Sequence, residues 1–249
     1  MKISKNELTA ALKKAFEGIG FGVGDYEDAA GMVTWLETHG LQGLAQLHAA
    51  LPHLIEKPYL QIELSQEDDR LAVLDAQGGS TLICGGQAVD MAYTKARNMD
   101  FGIVQLINCH NRKMIIERLV NTARRGMACM AYWRSSGGPT AFTLVSIDAH
   151  AEYPNCVEYT TQDCDAENKQ SMVFLCGANL SVLQEYVADF LPVSSDSVAS
   201  ATPEAMESSY KQALERGIEM DLALWESLEK LINNVLVEAT ETSRAGAGE

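Results

Sequence analysis

An α/β fold is predicted for this chain, and three observations predict it. Between residues 87 and 133, segments with apolar residues at helical spacing alternate with short, continuous apolar runs. The runs at 102–108 and 127–133 have the composition of strands covered on both faces, whereas a half-solvated strand would alternate polar with apolar. Helical patterns also stand near both ends of the chain, so terminal helices packed against one another are expected.

The elements follow in order. Ser4 and Glu7 form an S-x-x-E capping box, and Leu8, Leu12 and Phe16 follow at helical spacing. Gly18, Gly20, Gly22 and Gly24 break that helix. Asp25 can cap a second one, with Ala29, Val33 and Leu36 on one face and Gly40 as its stop. A third helical pattern covers residues 41–55. Pro58 opens an extended stretch, 71–74 is strand-like, and Gly78-Gly79 reads as a turn after it. Helix 87–98, strand 102–108, helix 113–125 and strand 127–133 come next, followed by strands at 141–147, 156–160 and 171–176 and a helix at 180–190. The serine-rich segment 193–203 reads as a linker, and helical patterns at 203–216 and 220–238 close the chain. The organisation expected is one domain over 1–249: a helical part (1–57), an α/β core (58–192), a linker (193–203) and C-terminal helices (204–249).

Composition narrows the function. The 249 residues are 47% apolar and 21% charged, an ordinary globular balance. A chain of this length buries roughly 70–75% of its unfolded surface, so no disulfide or metal staple is required. The net charge is −15; residues 1–125 hold 13 basic and 15 acidic side chains, and residues 126–249 hold 6 and 19. Such a field repels phosphate backbones and anionic lipid, which argues against nucleic-acid and membrane-surface binding. The N-terminus carries no apolar signal region and no stretch approaches 18 uncharged apolar residues, so a cytoplasmic location is expected. Six scattered cysteines without a C-x-x-C pair read as reduced thiols, and no metal site is expected.

No P-loop, G-x-G-x-x-G, H-E-x-x-H or G-x-S-x-G motif is present. The histidines carry more information. His39 stands in Thr38-His39-Gly40 at a helix end, and His110 in Asn108-Cys109-His110-Asn111-Arg112, directly after an apolar run. Ligands of open α/β sheets bind at the carboxyl ends of strands, and an imidazole there can shuttle a proton. The alternative for each is a satisfied structural residue or a helix C-terminal cap. His48 and His53 lie five apart, off the i,i+4 metal spacing, and read as surface or packing residues. Cys109 and His110 are adjacent, and neighbours on an extended segment point to opposite faces, so they do not make a nucleophile–base pair.

The order of several short motifs resembles the type-2 malate/L-lactate dehydrogenase family, whose fold is not the Rossmann fold. The matching pieces are Leu74-Asp75-Ala76-Gln77-Gly78-Gly79, Gly86-Gln87-Ala88, Phe101-Gly102-Ile103, Asn108-Cys109-His110, Arg125-Gly126-Met127 and Gly137-Gly138. Upstream, Glu27-Asp28-Ala29-Ala30 and Thr38-His39-Gly40 resemble the family's E-D-A helix and S-H-G turn. The likeness covers about residues 3–150 well and the rest loosely. It implies a dehydrogenase-like mixed sheet with N- and C-terminal helices packed together, a homodimer, and NAD or NADP as cofactor. It implies His110 and His39 as catalytic residues, Thr38 in substrate binding, and Gly137, Gly138 and Asn108 in cofactor binding.

Departures from the family pattern divide the functional reading. The family's carboxylate-binding arginine falls at Gly43, the glycine after its histidine at Arg112, and the lysine of its K-G pair at Cys176; its D-x-A-T-S segment has no counterpart. One reading is an NAD(P)-dependent oxidoreductase of small 2-hydroxy, 2-keto or imino acids, with Arg112 or Lys113 replacing the missing arginine as carboxylate anchor. The other is a non-catalytic ligand-binding or partner protein without a cofactor, because several positions have changed together. The catalytic reading requires His110 and His39 to meet in one pocket.

Overall fold

In the computed structural model, residues 1–56, 61–134, 141–160, 170–188 and 197–235 are described. Strand β1 (Lys2–Ile3) leads into helix α1 (Lys5–Ile19), whose capping box is formed as expected: Glu7 N donates to Ser4 Oγ (3.2 Å) and Ser4 N to Glu7 Oε2 (2.7 Å). Gly20, at φ 111°, ends the helix in the left-handed region that suits glycine. Helix α2 (Val23–Thr38) is preceded by Gly22 as N-cap; Asp25, expected to cap it, instead lies in its first turn. Helix α3 (Gly43–Glu56) follows.

Next come β2 (Glu63–Glu67), β3 (Leu71–Ser80), helix α4 (Thr81–Met99) and β4 (Phe101–His110). The expected turn at Gly78-Gly79 is corrected. With Gln77 at φ 51° and Gly78 at φ 81°, these residues form an irregularity inside β3, which resumes pairing with β4 at Gly79 and Ser80. A short 3₁₀ turn (Arg112–Ile115) joins α5 (Ile116–Arg124), then β5 (Ala128–Arg134), β6 (Ala141–Ile147), β7 (Asn155–Thr160), β8 (Met172–Gly177) and α6 (Leu180–Val187). Residues 197–201 of the expected linker are a strand, β9 (Ser197–Ala201), paired with β7. Helix α7 (Pro203–Arg216), β10 (Ile218–Glu219) and helix α8 (Leu222–Asn233) complete the described chain.

The main sheet has the order β2-β3-β4-β8-β5-β6-β7-β9. Strands β3 and β4 run parallel, joined through α4 as a βαβ unit, and every other pair is antiparallel. Because β8 lies antiparallel between β4 and β5, the carboxyl ends of β3, β4 and β5 share one edge. One face buries Ala72, Leu74, Val104, Leu106, Ala131 and Phe174 in the principal core with the helices. The other carries a smaller cluster of Met130, Leu175, Leu183 and Val187, bordered by partly exposed Ile103, Tyr132, Leu144 and Val173.

The terminal helices pack together as expected. β1 pairs with β10, and α1 approaches α8 so closely that a Cβ on Gly18 would run into the carbonyl of Leu231.

Candidate active site

The candidate site is built at the shared edge where β3, β4 and β5 end. Ser80 pairs with His110 across the parallel β3–β4 ladder, so the two side chains stand at the same level. Asn108 (φ 53°) and Asn111 (φ 58°) both take the left-handed conformation, flanking Cys109 and His110. Asparagine tolerates this region better than other non-glycine residues, which explains the N-x-x-N spacing and turns His110 out of the regular pleat. Thr81 Oγ1 donates to Asn111 O (2.6 Å), which pins this turn to the start of α4.

His110 is half-buried, and its ring stacks on that of His53 at 5.7 Å with an 8° angle between planes. Thus His53, read from its spacing as a surface or packing residue, packs against the proposed proton carrier. No local signal could have found it, since 57 positions separate the two and only the packing of α3 brings them together. Cys109 points into the core, and burial pushes its thiol up to about 11, which removes it as a nucleophile.

His39 has a different setting. It is 6% exposed and its ring stacks on Trp35 (4.0 Å) and Tyr210 (4.9 Å), with Tyr153 tilted against it at 5.7 Å. Its Nδ1 lies 2.6 Å from Trp35 O; a carbonyl only accepts, so the proton sits on Nδ1. Burial lowers its pKa to about 4, partly opposed by that hydrogen bond, so the ring is neutral near pH 7. The Thr38 hydroxyl is likewise committed, donating to Thr34 O (2.8 Å) and lying 3.1 Å from Trp35 O. In place of the catalytic role expected of His39 and the substrate role expected of Thr38, both are held structurally: the Thr38 hydroxyl closes the end of α2 and the His39 ring packs that end against Tyr210 of α7.

The expected carboxylate anchor at Arg112 is also corrected. Its side chain is 9% exposed; Nη1 donates to Cys109 O (3.0 Å) and Nη2 to Arg134 O (3.0 Å). A guanidinium fork fits two carbonyls held at a fixed spacing, and here it ties the end of β4 to the end of β5. Lys113, next on the 3₁₀ turn, is half-buried. Asn108 is exposed, and its Nδ2 donates to both oxygens of Asp75 at 3.0 Å. Gly137 and Gly138 lie outside the described residues, as does Cys164. Among the described residues no group of three or more His, Cys, Asp or Glu side chains could hold a metal ion.

Two departures from the family pattern acquire a physical cause. A Cβ on Gly43 would run into Val33 O and lie 2.8 Å from Glu37 N, so α3 meets α2 backbone to backbone and no arginine fits there. Cys176 is buried in the sheet opposite Cys129, with the sulfurs 3.5 Å apart, where a lysine ammonium would lack solvent.

Residues 3–82 match the family model described as "Protein of unknown function (DUF3726)". No curated protein matches the sequence. Among solved structures, the malate dehydrogenase from Entamoeba histolytica superposes with a TM-score of 0.68 at 12% identity, covering 96% of this chain and 99% of that one. A dehydrogenase from Sinorhizobium meliloti gives 0.69 at 13% identity, covering 93% of this chain and 99% of that one. The delta1-piperideine-2-carboxylate reductase from Pseudomonas syringae pvar. tomato gives 0.59 at 10% identity, covering 93% and 99%. At such identities the likeness establishes the fold: this chain has the mixed α/β architecture of the malate/lactate dehydrogenase type.

Proposed function

We propose that the chain is an NAD(P)-dependent oxidoreductase of small 2-hydroxy, 2-keto or imino acids in which His110 carries the proton without His39, so that the shared pocket expected of the two histidines is given up. The observation that supports this most is the setting of His110: a half-buried imidazole at the carboxyl end of a parallel strand, flanked by two left-handed asparagines and aligned by His53. Proton transfer requires a titratable group within one hydrogen bond of the reacting oxygen or nitrogen, and a strand end can present one. Lys113, half-buried on the turn after β4, gives this edge a cation for an anionic cofactor, and the Asn108 amide holds the Asp75 carboxylate at the edge. Asn108, with Gly137 and Gly138, would hold NAD or NADP, which when bound exchanges a hydride with the substrate carbon. His110 then takes the hydroxyl proton, or returns it in the reverse direction, and Arg112 keeps the strand ends at the spacing this needs.

The homodimer and the cytoplasmic location belong to the same reading. Support for the dimer is the second sheet face, where Ile103, Tyr132, Leu144 and Val173 remain partly exposed. Among the described residues no helix is long and apolar enough to cross a membrane.

Gly43 and Cys176 favour a second reading, a non-catalytic ligand-binding protein, because both family charges are excluded by packing. One experiment separates the two. Thermal shifts with NAD⁺, NADH, NADP⁺ and NADPH identify the cofactor, since a hundredfold excess over Kd adds about 2.7 kcal/mol. Turnover is then sought with a panel of 2-hydroxy, 2-keto and imino acids. Cofactor-dependent turnover abolished in His110→Ala supports the enzyme; acid-induced stabilisation without turnover supports the binding protein.

A further inference from the structure

Arg134 is the last residue of β5, on the strand-end edge that also holds His110. Its backbone carbonyl is gripped by Arg112, but its own side chain is left open: Nη1 is shut off from solvent and has no hydrogen-bond partner. A buried guanidinium N–H without a partner is costly; of the buried unpartnered side-chain atoms among the described residues, this one and Asn111 Oδ1 stand at the strand-end edge. The same edge holds a second orphan of opposite kind. Asn111 Oδ1, on the residue after His110, is also buried and without a partner. Arg112, next to Asn111 in sequence, ties this turn to the end of β5, with one arm of its fork on Cys109 O and the other on Arg134 O.

We propose that Arg134 is the carboxylate anchor of this site, replacing the arginine that Gly43 excludes, and that Asn111 accepts a hydrogen from the 2-substituent of the same small acid. The inference rests on the oxidoreductase reading only for the class of ligand. An unpaired donor calls for an anion, and an unpaired acceptor on the residue after His110 calls for an O–H or N–H. A 2-hydroxy or 2-amino acid carries both groups on adjacent carbons, whereas a 2-keto acid carries the carboxylate alone. A planar guanidinium also prefers a carboxylate to a point anion, because it can donate two parallel hydrogen bonds.

The test uses the full-length protein and its Arg134→Gln, Arg134→Lys and Asn111→Gly variants; glycine retains the left-handed backbone at 111. Thermal shift and calorimetry are run with lactate, alanine, pyruvate and inorganic phosphate, and separately with NADH and NADPH. Because Nη1 has no partner to lose, Arg134→Gln is expected to keep or raise the melting temperature of the unliganded protein. It should weaken every carboxylic acid by about ten- to a hundredfold, the effect of one charge-assisted hydrogen bond, and leave nucleotide affinity unchanged. Arg134→Lys should recover part of that loss, and Asn111→Gly should weaken lactate and alanine but not pyruvate.

Several outcomes overturn the assignment: acids that bind Arg134→Gln as they bind the parent, a parent that binds none of them, or a variant that melts earlier and loses acid and nucleotide together. Loss of nucleotide alone would assign Arg134 to a phosphate and also overturn it. If acids bind through Arg134 while no nicotinamide nucleotide binds the parent, the anchor stands and the oxidoreductase reading fails.

Discussion

Two histidines sit at the ends of regular elements in this molecule, and their surroundings are opposites. Around His39 the ring and the neighbouring hydroxyl have internal uses: Nδ1 lies on Trp35 O, the Thr38 hydroxyl on Thr34 O, and the ring face between Trp35 and Tyr210, although Trp35 Nε1 beside it is buried without a partner. Around His110 the backbone is left-handed on both sides, the ring is half-buried, and Asn111 Oδ1 and Arg134 Nη1 lack partners. The contrast teaches that residue type and chain position do not separate a structural imidazole from a working one. What separates them is the enclosure of the ring itself: His39 is shut between Trp35 and Tyr210 with its Nδ1 on a carbonyl, whereas His110 is half-buried at a strand end.

The comparison is broken most decisively at His110. His110→Ala should reduce turnover by about 10²–10⁴, the usual contribution of a positioned acid–base group, while nucleotide affinity and melting temperature stay near the parent values. Steady-state kinetics with nucleotide titration check this, and retained turnover would leave His110 a packing residue like His39.

Next in size is Gly43. Gly43→Arg, which restores the family's residue type, should lower stability by about 3 kcal/mol and give no gain in acid binding, because any side chain there meets the α2 backbone. Urea unfolding measures the first and calorimetry with lactate the second. A stable variant with tighter acid binding would mean that the region around His39 retains a substrate role.

The His39 region should also respond to acid. Its pKa falls from 6.5 in the unfolded chain to about 4 in the native one, so the unfolded state binds more protons between these values. Stability is therefore complete above pH 6.5 and is lost as pH falls towards 4, by about 2 kcal/mol after allowance for partial solvent screening. His39→Phe keeps the stack but cannot titrate, and should flatten this part of the stability–pH curve. An unchanged curve would place the acid sensitivity elsewhere.

The smallest effect is expected at the helix cap. Ser4→Ala removes the acceptor for Glu7 N and should cost about 1 kcal/mol. The loosened first turn carries Lys5, whose Nζ donates to Tyr210 OH (3.2 Å), so indole fluorescence from Trp35 should shift slightly with it. Turnover should not change.

Much of the fold was legible because its signals are local. The capping box at Ser4 and Glu7, the apolar runs of β4 and β5, and the helical spacing of Ile116, Leu119, Val120 and Ala123 each act within a few residues. Three local readings failed for equally local reasons. Gly22 displaced Asp25 as cap, the Gly78-Gly79 pair bent a strand instead of ending it, and a serine-rich stretch found an edge to pair with. The location of His110 at a strand end was also legible, since an apolar run ends there.

By itself, then, the sequence determined the element types, the α/β class, the meeting of the terminal helices and the position of one candidate imidazole. The tertiary structure alone decided which polar groups were already satisfied. It placed His53 on His110, enclosed His39 between aromatic rings from distant elements, bound Arg112 to two carbonyls and left Arg134 unpaired. The physical reason is range. Helix and strand propensities depend on neighbours a few positions away, whereas burial and hydrogen-bond satisfaction depend on which distant segments the chain brings against each side chain.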